Sequence, residues 1–308
     1  MLTVHHRDLA AALERHVKAL AGDIGERNVF RPPALHAAAD YILQECARRG
    51  SEVRHQDYQA RGVPCANTEV ALAGCVQPDE IIVVGAHYDT VRNSPGADDN
   101  ASGVAAVREI AGLLQSLSPQ YTVRCVAFVN EEAPFFARGD MGSLRYARAA
   151  RQHGDCIRVM LSLEMLGYYR DEPGTQRYPP LLRYFYPERG NFIAFVSNLR
   201  SLRHLRWIVD AFRTSSGFPV EAAAGTGDEW VRIWGAKTSV NGGFEGGYMS
   251  QPYNEPFGKG GTFYGLPLVS GQAYQDVVAE LARNKVSRGR ARGWRCCTGP
   301  GPRGVGES

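Results

Sequence analysis

The stretch from Ile81 to Gly103 constrains the fold of this chain more than any other part of the sequence. It opens with the β-branched, apolar residues Ile81 to Val84, which suit a short strand buried on both faces. A polar loop containing Gly and Pro follows, and from Val104 onward apolar residues recur at the spacing of one helical face. A strand, a polar loop and a helix in this order predict an open α/β sheet. Ligand sites of such sheets lie at the carboxyl ends of the strands.

The polar loop carries residue types that suit a metal site. His87 and Asp89 are two residues apart, so they project to the same side of an extended chain. A metal-bound imidazole usually donates its second N–H to a carboxylate, which predicts Asp89 as the partner of His87. Asp98 supplies a hard oxygen ligand from the same loop. The alternative is that His87 is an ordinary loop histidine and that the Asp98–Asp99 pair caps the next helix.

Two further apolar strands also end in acidic residues. The run from Tyr121 to Val129 is followed by Glu131 and Glu132, and the run from Ile157 to Leu163 is followed by Glu164. Adjacent carboxylates at the end of a buried strand are costly unless a charge compensates them, and a metal cation does so directly. One glutamate can then bind the ion while its neighbour takes a proton from water. Three strands that end in acids or histidine therefore predict a catalytic metal site.

The chain contains four motifs in succession: HYDT, SPGADDNASG, FVNEE followed by MGS, and SLEMLGYY. They occur in the order found in zinc metallopeptidase family 28, which this chain resembles over roughly residues 30–218. The family includes co-catalytic aminopeptidases and glutaminyl cyclases. The resemblance implies a three-layer α/β/α fold with a central mixed, mostly parallel sheet, together with two zinc ions.

The resemblance also implies a role for each site residue. Asp98 would bridge both zinc ions, His87 and Glu164 would complete one site, and Glu132 would bind the other ion. The family has a cis peptide bond that falls between Asp98 and Asp99 in this alignment of motifs.

Two further residues would then be catalytic. Glu131 is similar to the general base of the family. Asp89, from its spacing to His87, is the carboxylate that would orient this histidine.

The chain departs from the family at the last metal ligand, which is a histidine in a late motif. The closest stretch here is QPYNEP, with Asn254 at the histidine position, and no histidine follows His204. Asn254 and Glu255 are the candidate oxygen ligands in its place. The expected metal content is accordingly one or two zinc ions.

We therefore expect an aminopeptidase-like hydrolase that cleaves N-terminal residues from peptides with a metal-activated water. The alternative is a non-catalytic or weakened family member that keeps one metal site as a binding or scaffold protein. A glutaminyl cyclase is disfavoured, because the resemblance assigns its single zinc to the ligand set that is incomplete here.

The domain organisation predicted from the sequence is a single catalytic domain over residues 1–286, diverged over 222–286. Residues 287–308 are rich in Arg, Gly and Pro, a composition that predicts a disordered tail. A diverged or frame-shifted end of the gene is the alternative for this segment. At the other end, Met1 to Ala21 reads as an amphipathic helix whose histidines, His16 among them, lie on a solvated face.

Charge and composition limit the partners that we expect. The formal net charge of +3 owes much to the arginines of the tail, so it says little about nucleic-acid binding and we expect no nucleic acid as a partner. The family resemblance implies a peptide substrate. No stretch approaches the roughly 20 apolar residues of a membrane span, and the first residues lack the apolar core of a signal peptide. The cysteines show no CxxC spacing, which favours reduced thiols and a cytoplasmic location. The sequence leaves the oligomeric state open.

Overall fold

The computed structural model describes residues 4–136, 138–176, 184–225 and 235–240 of the chain. The strands are β1 (Val53–Ala60), β2 (Val63–Leu72), β3 (Gln77–His87), β4 (Tyr121–Phe128), β5 (Cys156–Glu164), β6 (Ile193–Asn198), β7 (Val220–Gly225) and β8 (Gly235–Val240). The helices are α1 (Val4–Val17), α2 (Pro32–Ala47), α3 (Gly103–Leu114), α4 (Gly142–His153) and α5 (Leu202–Ser215).

The described strands form one mixed sheet in the order β1-β2-β4-β3-β5-β8-β6-β7. Strands β4, β3, β5 and β8 pair in parallel at its centre, and β6 and β7 are also parallel. The pairs β1–β2, β2–β4 and β6–β8 are antiparallel. The mixed, mostly parallel sheet expected from the sequence is confirmed.

Helices cover both faces of this sheet. Helices α1, α2, α3 and α5 bury Leu13, Leu35, Ile110 and Phe212 in the main core on one face. Tyr146 of α4 packs against a smaller apolar cluster on the opposite face. The three-layer α/β/α arrangement is therefore present, with α4 covering the second face.

Strand β3 is buried on both faces, as its run of β-branched residues predicts. Ile82 and Val84 join the main core, while Ile81 and Val83 join the cluster beneath α4. None of the four is more than 4% exposed, and burial of such a side chain contributes about 1.5–3 kcal/mol. This central position places His87, the last residue of β3, at the carboxyl edge of the sheet.

Other elements end at the same edge. His87 is in register with Phe128 of β4, and the parallel β5 ends nearby at Glu164. Strand β2 runs antiparallel to β4, so the turn between β1 and β2 lies beyond this same edge. Arg61 and Gly62 form that two-residue turn with φ angles of 52° and 78°, the left-handed conformation that tight hairpins require.

The N-terminal helix corrects one expectation. His16 of α1 does not lie on a solvated face; it is 1% exposed and packs against α3 and α2. Its Nε2 lies 3.0 Å from Glu109 Oε1, and its Nδ1 lies 2.7 Å from the Tyr41 hydroxyl oxygen. Helical periodicity located the apolar stripe of α1 but could not show that a buried acid on α3 meets the histidine beside it.

Among the residues that the structure describes, no helix is both long enough and apolar enough to cross a membrane. Residues 241–308 lie outside the described part, and with them the predicted boundary at 286, the tail over 287–308, and the candidate ligands Asn254 and Glu255.

Candidate metal centre

Three side chains from separate elements converge at the carboxyl edge of the sheet. His87 ends β3, Glu164 ends β5, and Asp99 lies in the π-helical turn Ala97–Ser102 that leads into α3. One potential ligand atom of each lies within 4.8 Å of the others. An imidazole nitrogen and two carboxylate oxygens are a donor set that zinc accepts. The edge therefore has the chemistry of a metal site.

The orientation of His87 is set on both sides of its ring. Its Nδ1 lies 3.1 Å from the backbone oxygen of Asp89 and 3.5 Å from Asp89 Oδ1. Its Nε2 lies 3.0 Å from Asp99 Oδ1. Burial alone would lower the pKa of His87, but hydrogen bonds to Asp89 and Asp99 and their charges outweigh it and raise the pKa well above its usual value. The carboxylates around this ring thus favour a cation at this position.

The structure corrects the expectation for Asp98. Its Oδ1 accepts a hydrogen bond of 2.7 Å from the backbone N–H of Gly167, and its side chain lies 3.5 Å from Ser102 Oγ. Asp99, not Asp98, faces His87 and Glu164. The cis peptide bond likewise lies between Asp99 and Asn100, one residue later than expected.

The reason for this correction is geometric. Adjacent side chains in a loop project in different directions, and nothing local distinguishes two neighbouring aspartates. Burial raises the pKa of Asp98 to about 7. Asp98 is therefore a buried acid that ties the loop before α3 to the segment after β5.

Asp89 connects the ends of β3 and β4. Its two carboxylate oxygens each accept a hydrogen bond of 3.1 Å, one from the N–H of Glu131 and one from the N–H of Glu132. Asn130, just before them, has a φ of 63°. Asparagine tolerates this left-handed conformation, and the turn directs the two successive N–H groups towards one carboxylate. Two backbone N–H groups thus fix the Asp89 carboxylate, which also contacts the His87 ring.

Ser143 of α4 donates two hydrogen bonds to the carboxylate of Glu131. The backbone N–H of Ser143 lies 2.6 Å from Oε1, and the Ser143 hydroxyl donates to Oε2 at 2.7 Å. Burial raises the pKa of Glu131 to about 7, although these two hydrogen bonds act in the opposite direction. A carboxylate with a pKa near neutrality is suited to accept and return a proton at physiological pH.

Glu132 lies in the electrostatic field of the same group. Burial raises the pKa of its carboxyl to about 7, and the negative charge of Asp99 adds to the effect. Glu132 is not among the three residues whose ligand atoms lie within 4.8 Å of one another in the described part of the chain. Its role as a ligand of a second ion stays a prediction.

Two residues that the sequence interpretation missed support the centre. Ser143 lies in the MGS motif, but the motif alone does not show that its hydroxyl reaches Glu131. Arg27 is 0% exposed and gave no signal in the sequence, because arginine is ordinarily a surface residue.

Arg27 holds the loop that carries the metal-site residues. Its guanidinium donates to the backbone oxygens of Leu20, Gly25, Tyr88, Pro95 and Gly96. Burial lowers the pKa of Arg27 to about 10, which still leaves it charged at neutral pH, and the charges of Asp89 and Asp99 counteract that decrease. The buried guanidinium of Arg27 therefore interacts electrostatically with the carboxylates of Asp89 and Asp99.

A histidine and carboxylates that converge at strand ends, beside a glutamate with a pKa near 7, are the groups with which metal-dependent hydrolases hold an ion and transfer a proton. Comparison with known proteins narrows this class. Residues 67–188 match the model of peptidase family M28. The uncharacterized protein YfbL of Escherichia coli K12 is 35% identical over 217 residues, which cover 68% of this chain and 66% of that protein. The chain belongs to peptidase family M28.

Other relatives match over shorter lengths. An aminopeptidase of Pseudomonas aeruginosa is 37% identical over 91 residues, or 29% of this chain and 16% of that protein. A probable zinc metalloprotease of Pyrenophora tritici-repentis is 34% identical over 113 residues, or 34% of this chain and 25% of that protein. The chain thus spans less than two thirds of the length of these relatives and of YfbL.

Solved structures share the fold. A leucine aminopeptidase precursor from Bacteroides thetaiotaomicron has a TM-score of 0.61 at 18% identity, covering 90% of this chain and 97% of that one. BSAP, a zinc aminopeptidase from Bacillus subtilis, has a TM-score of 0.60 at 14% identity, covering 91% and 96%. At these identities the similarity establishes the α/β fold of the chain.

Proposed function

We propose that this protein is a zinc-dependent, aminopeptidase-like hydrolase that removes N-terminal residues from peptides. The observation that carries the proposal is the convergence of His87, Asp99 and Glu164 beside Glu131. Membership of family M28 and the zinc aminopeptidases among its structural neighbours support the choice of metal and of substrate. His87, Asp99 and Glu164 would hold one ion, and Glu132 is the candidate ligand of a second.

Zinc, when bound, supplies a Lewis acid for the scissile carbonyl and lowers the pKa of water. The protein residues handle the proton. Glu131 accepts a proton from the attacking water as the new C–O bond forms at the carbonyl carbon. The same carboxyl then returns the proton to the amine nitrogen as the C–N bond breaks. Ser143 holds this carboxylate by its N–H and its hydroxyl, so one orientation serves both transfers.

Asp89 has a positioning role in this proposal. Its carboxylate is fixed by two backbone N–H groups and lies 3.5 Å from Nδ1 of His87. It therefore keeps Nε2 of His87 directed at the centre where Asp99 lies. Such a partner fixes both the tautomer and the ring orientation of a metal-binding histidine.

The test combines metal analysis with peptide hydrolysis. Purified protein should contain one or two zinc ions and release the N-terminal residue from aminoacyl chromogenic substrates. Glu131→Gln should retain zinc and lose at least about a hundredfold in kcat, since it cannot accept a proton. His87→Ala should lose zinc as well as activity. Glu172→Gln is the matched control, because Glu172 is exposed and its carboxylate lies 3.1 Å from Arg170 Nε, an exposed ion pair.

Two outcomes would contradict the proposal. Protein without bound zinc after growth with the metal would remove the basis of the site. Zinc-loaded protein that hydrolyses no aminoacyl substrate would support the alternative of a non-catalytic family member. Asn254→His is then informative, because a gain in turnover would show that the missing late histidine limits the activity.

We also propose that the protein acts in the cytoplasm and on peptides rather than nucleic acids. Cys46, Cys65, Cys75, Cys125 and Cys156 are free thiols in the described part of the chain, as expected for a reducing compartment. Fractionation of cells that express the protein tests the location, and recovery with secreted proteins would contradict it.

A further inference from the structure

A basic and aromatic cluster lies at the carboxyl edge of the sheet, outside the metal centre. The ring of Phe30 is 39% exposed, and two arginine side chains lie over it. The guanidinium carbon of Arg92 is 4.4 Å from the ring centroid, and that of Arg61 is 5.7 Å away. Both arginines are exposed. We refer to Phe30, Arg61 and Arg92 as the arginine–phenylalanine rim.

The backbone segments that carry the three rim residues lie at the same edge of the sheet as the metal centre. Arg61 lies in the β1–β2 turn, which projects beyond the edge where β3 and β4 end. Arg92 follows Asp89 by three residues, so their Cα atoms are at most about 10 Å apart. The segment that leads to Phe30 is bound to the same loop, since Asn28 Nδ2 donates to the Thr90 oxygen at 3.2 Å.

The geometry of the rim leaves its positive charge available. A guanidinium stacked on an aromatic face keeps its N–H donors in the plane of the group, where they can bind a carboxylate bidentately. Among the residues that the structure describes, no carboxylate oxygen lies within 4.0 Å of the Arg61 or Arg92 nitrogens. Glu26, close in sequence, is engaged by Arg31 at 3.6 Å and by Asn28 at 3.1 Å. Phe30 thus holds two cations that have no acid partner in the described part of the protein.

We propose that the arginine–phenylalanine rim is a subsite for carboxylate groups of the peptide substrate, up to about three residues beyond the scissile bond. This inference rests on the proposed aminopeptidase function. In an aminopeptidase the residues after the first must leave the site across its border. An extended peptide advances about 3.3 Å per residue, so three residues span about 10 Å, which equals the upper limit on the distance between the Cα atoms of Asp89 and Arg92. The bound group is a Glu or Asp side chain or a free C-terminal carboxylate.

Matched peptides test the preference directly. Leu-Gly-Glu-Glu-Gly and Leu-Gly-Gln-Gln-Gly, both with amidated C-termini, differ only in two carboxylates. Wild-type protein should cleave leucine from the acidic peptide with a kcat/KM about two- to tenfold higher, as expected for two exposed ion pairs. The ratio should fall as salt is added, because exposed charges are screened. Leu-Gly-Gly with a free or an amidated C-terminus separates the terminal carboxylate from side-chain carboxylates.

The variants assign the preference to the rim. The double variant Arg61→Gln with Arg92→Gln should bring the ratio of the two peptides to about one by lowering kcat/KM for the acidic peptide. Phe30→Ala should reduce the ratio without abolishing it, because the guanidinium groups lose their support but not their charge. Arg213→Gln, an exposed arginine of α5, is the control and should leave the ratio as in wild type. A wild-type ratio of one, or a ratio unchanged in the double variant, overturns the inference.

A binding measurement separates failure of this inference from failure of the proposed function. Fluorescein-labelled versions of the two pentapeptides are titrated with Glu131→Gln protein, and anisotropy gives each Kd. Tighter binding of the acidic peptide that is lost on changing Arg61 and Arg92 supports the rim even if no peptide is hydrolysed. Equal Kd values for both peptides refute the rim even if the protein proves to be an active aminopeptidase.

Discussion

Replacement of Ser143 by alanine tests whether the hydrogen bonds to Glu131 control the general base. Ser143→Ala removes the hydroxyl that donates to Oε2 at 2.7 Å, while the backbone N–H to Oε1 at 2.6 Å remains. A hydrogen bond to a charged group contributes about 1.5–3 kcal/mol, and 1.36 kcal/mol corresponds to one pKa unit. Because Glu131 and Ser143 are partly accessible to water, we take the lower end of this range.

The direction of the effect follows from the protonation state that each contact favours. Burial raises the pKa of Glu131 to about 7, and the donors from Ser143 hold it below the value that burial alone would produce. Removal of one donor raises the pKa further. A general base works in its ionised form, so activity rises with pH through this pKa. The acidic limb of the kcat/KM profile should therefore move upward by about one pH unit in Ser143→Ala.

The assay is leucine release from an aminoacyl substrate between pH 5 and pH 9 at constant zinc. Bound zinc lowers the pKa in both proteins, so the difference between variant and wild type is the quantity compared. Ser143→Thr keeps a hydroxyl and should restore most of the profile. Ser116→Ala, at an exposed serine beyond α3, is the control. An identical acidic limb in wild type and Ser143→Ala, or a loss of rate by the same factor at every pH, would refute the reasoning.

Three further predictions concern stability. Burial by itself would raise the pKa of Glu109, but His16 and Arg49 outweigh it and lower the pKa to about 2. The folded state should therefore lose stability as pH falls from about 4.5 towards 2, and urea unfolding of Glu109→Gln should lack this dependence. Arg27→Met should lower the free energy of unfolding by roughly 3–5 kcal/mol, since five backbone oxygens lose their donor and those of Leu20, Tyr88 and Gly96 are buried. Arg27→Lys should recover part of this loss in the same urea measurement. Removal of zinc by a chelator should lower Tm by about 5–10 °C in a thermal scan, and added zinc should restore it.

Each of these predictions has an outcome that contradicts it. A parallel acid dependence in Glu109→Gln would show that other carboxylates dominate acid unfolding. An Arg27→Met protein as stable as wild type would mean that water satisfies the backbone oxygens. An unchanged Tm after chelation, with zinc loss verified by metal analysis, would mean that the ion binds folded and unfolded chains alike.

The sequence predicted the fold because its strands carry their own signals. Three apolar runs, those of β3, β4 and β5, indicate which segments are buried. Burial of a strand on both faces requires helices on both sides of the sheet. Four motifs in one order predicted the family-like arrangement. The same patterns placed His87, Glu131, Glu132 and Glu164 at strand ends, because strand ends are local features.

Contacts between distant segments could not be predicted in this way. Periodicity does not distinguish Asp98 from Asp99, since only the course of the loop across the end of β5 decides which carboxylate meets His87. Periodicity also placed His16 in solvent, because the spacing of residues within one helix carries no information about Glu109 on another helix. Local pattern determined which segments are strands and helices and where polar residues follow them. Only tertiary packing decided which of those polar groups lie together in one buried site. Their proximity depends on which surfaces the folded chain brings together and not on the spacing of residues along the sequence.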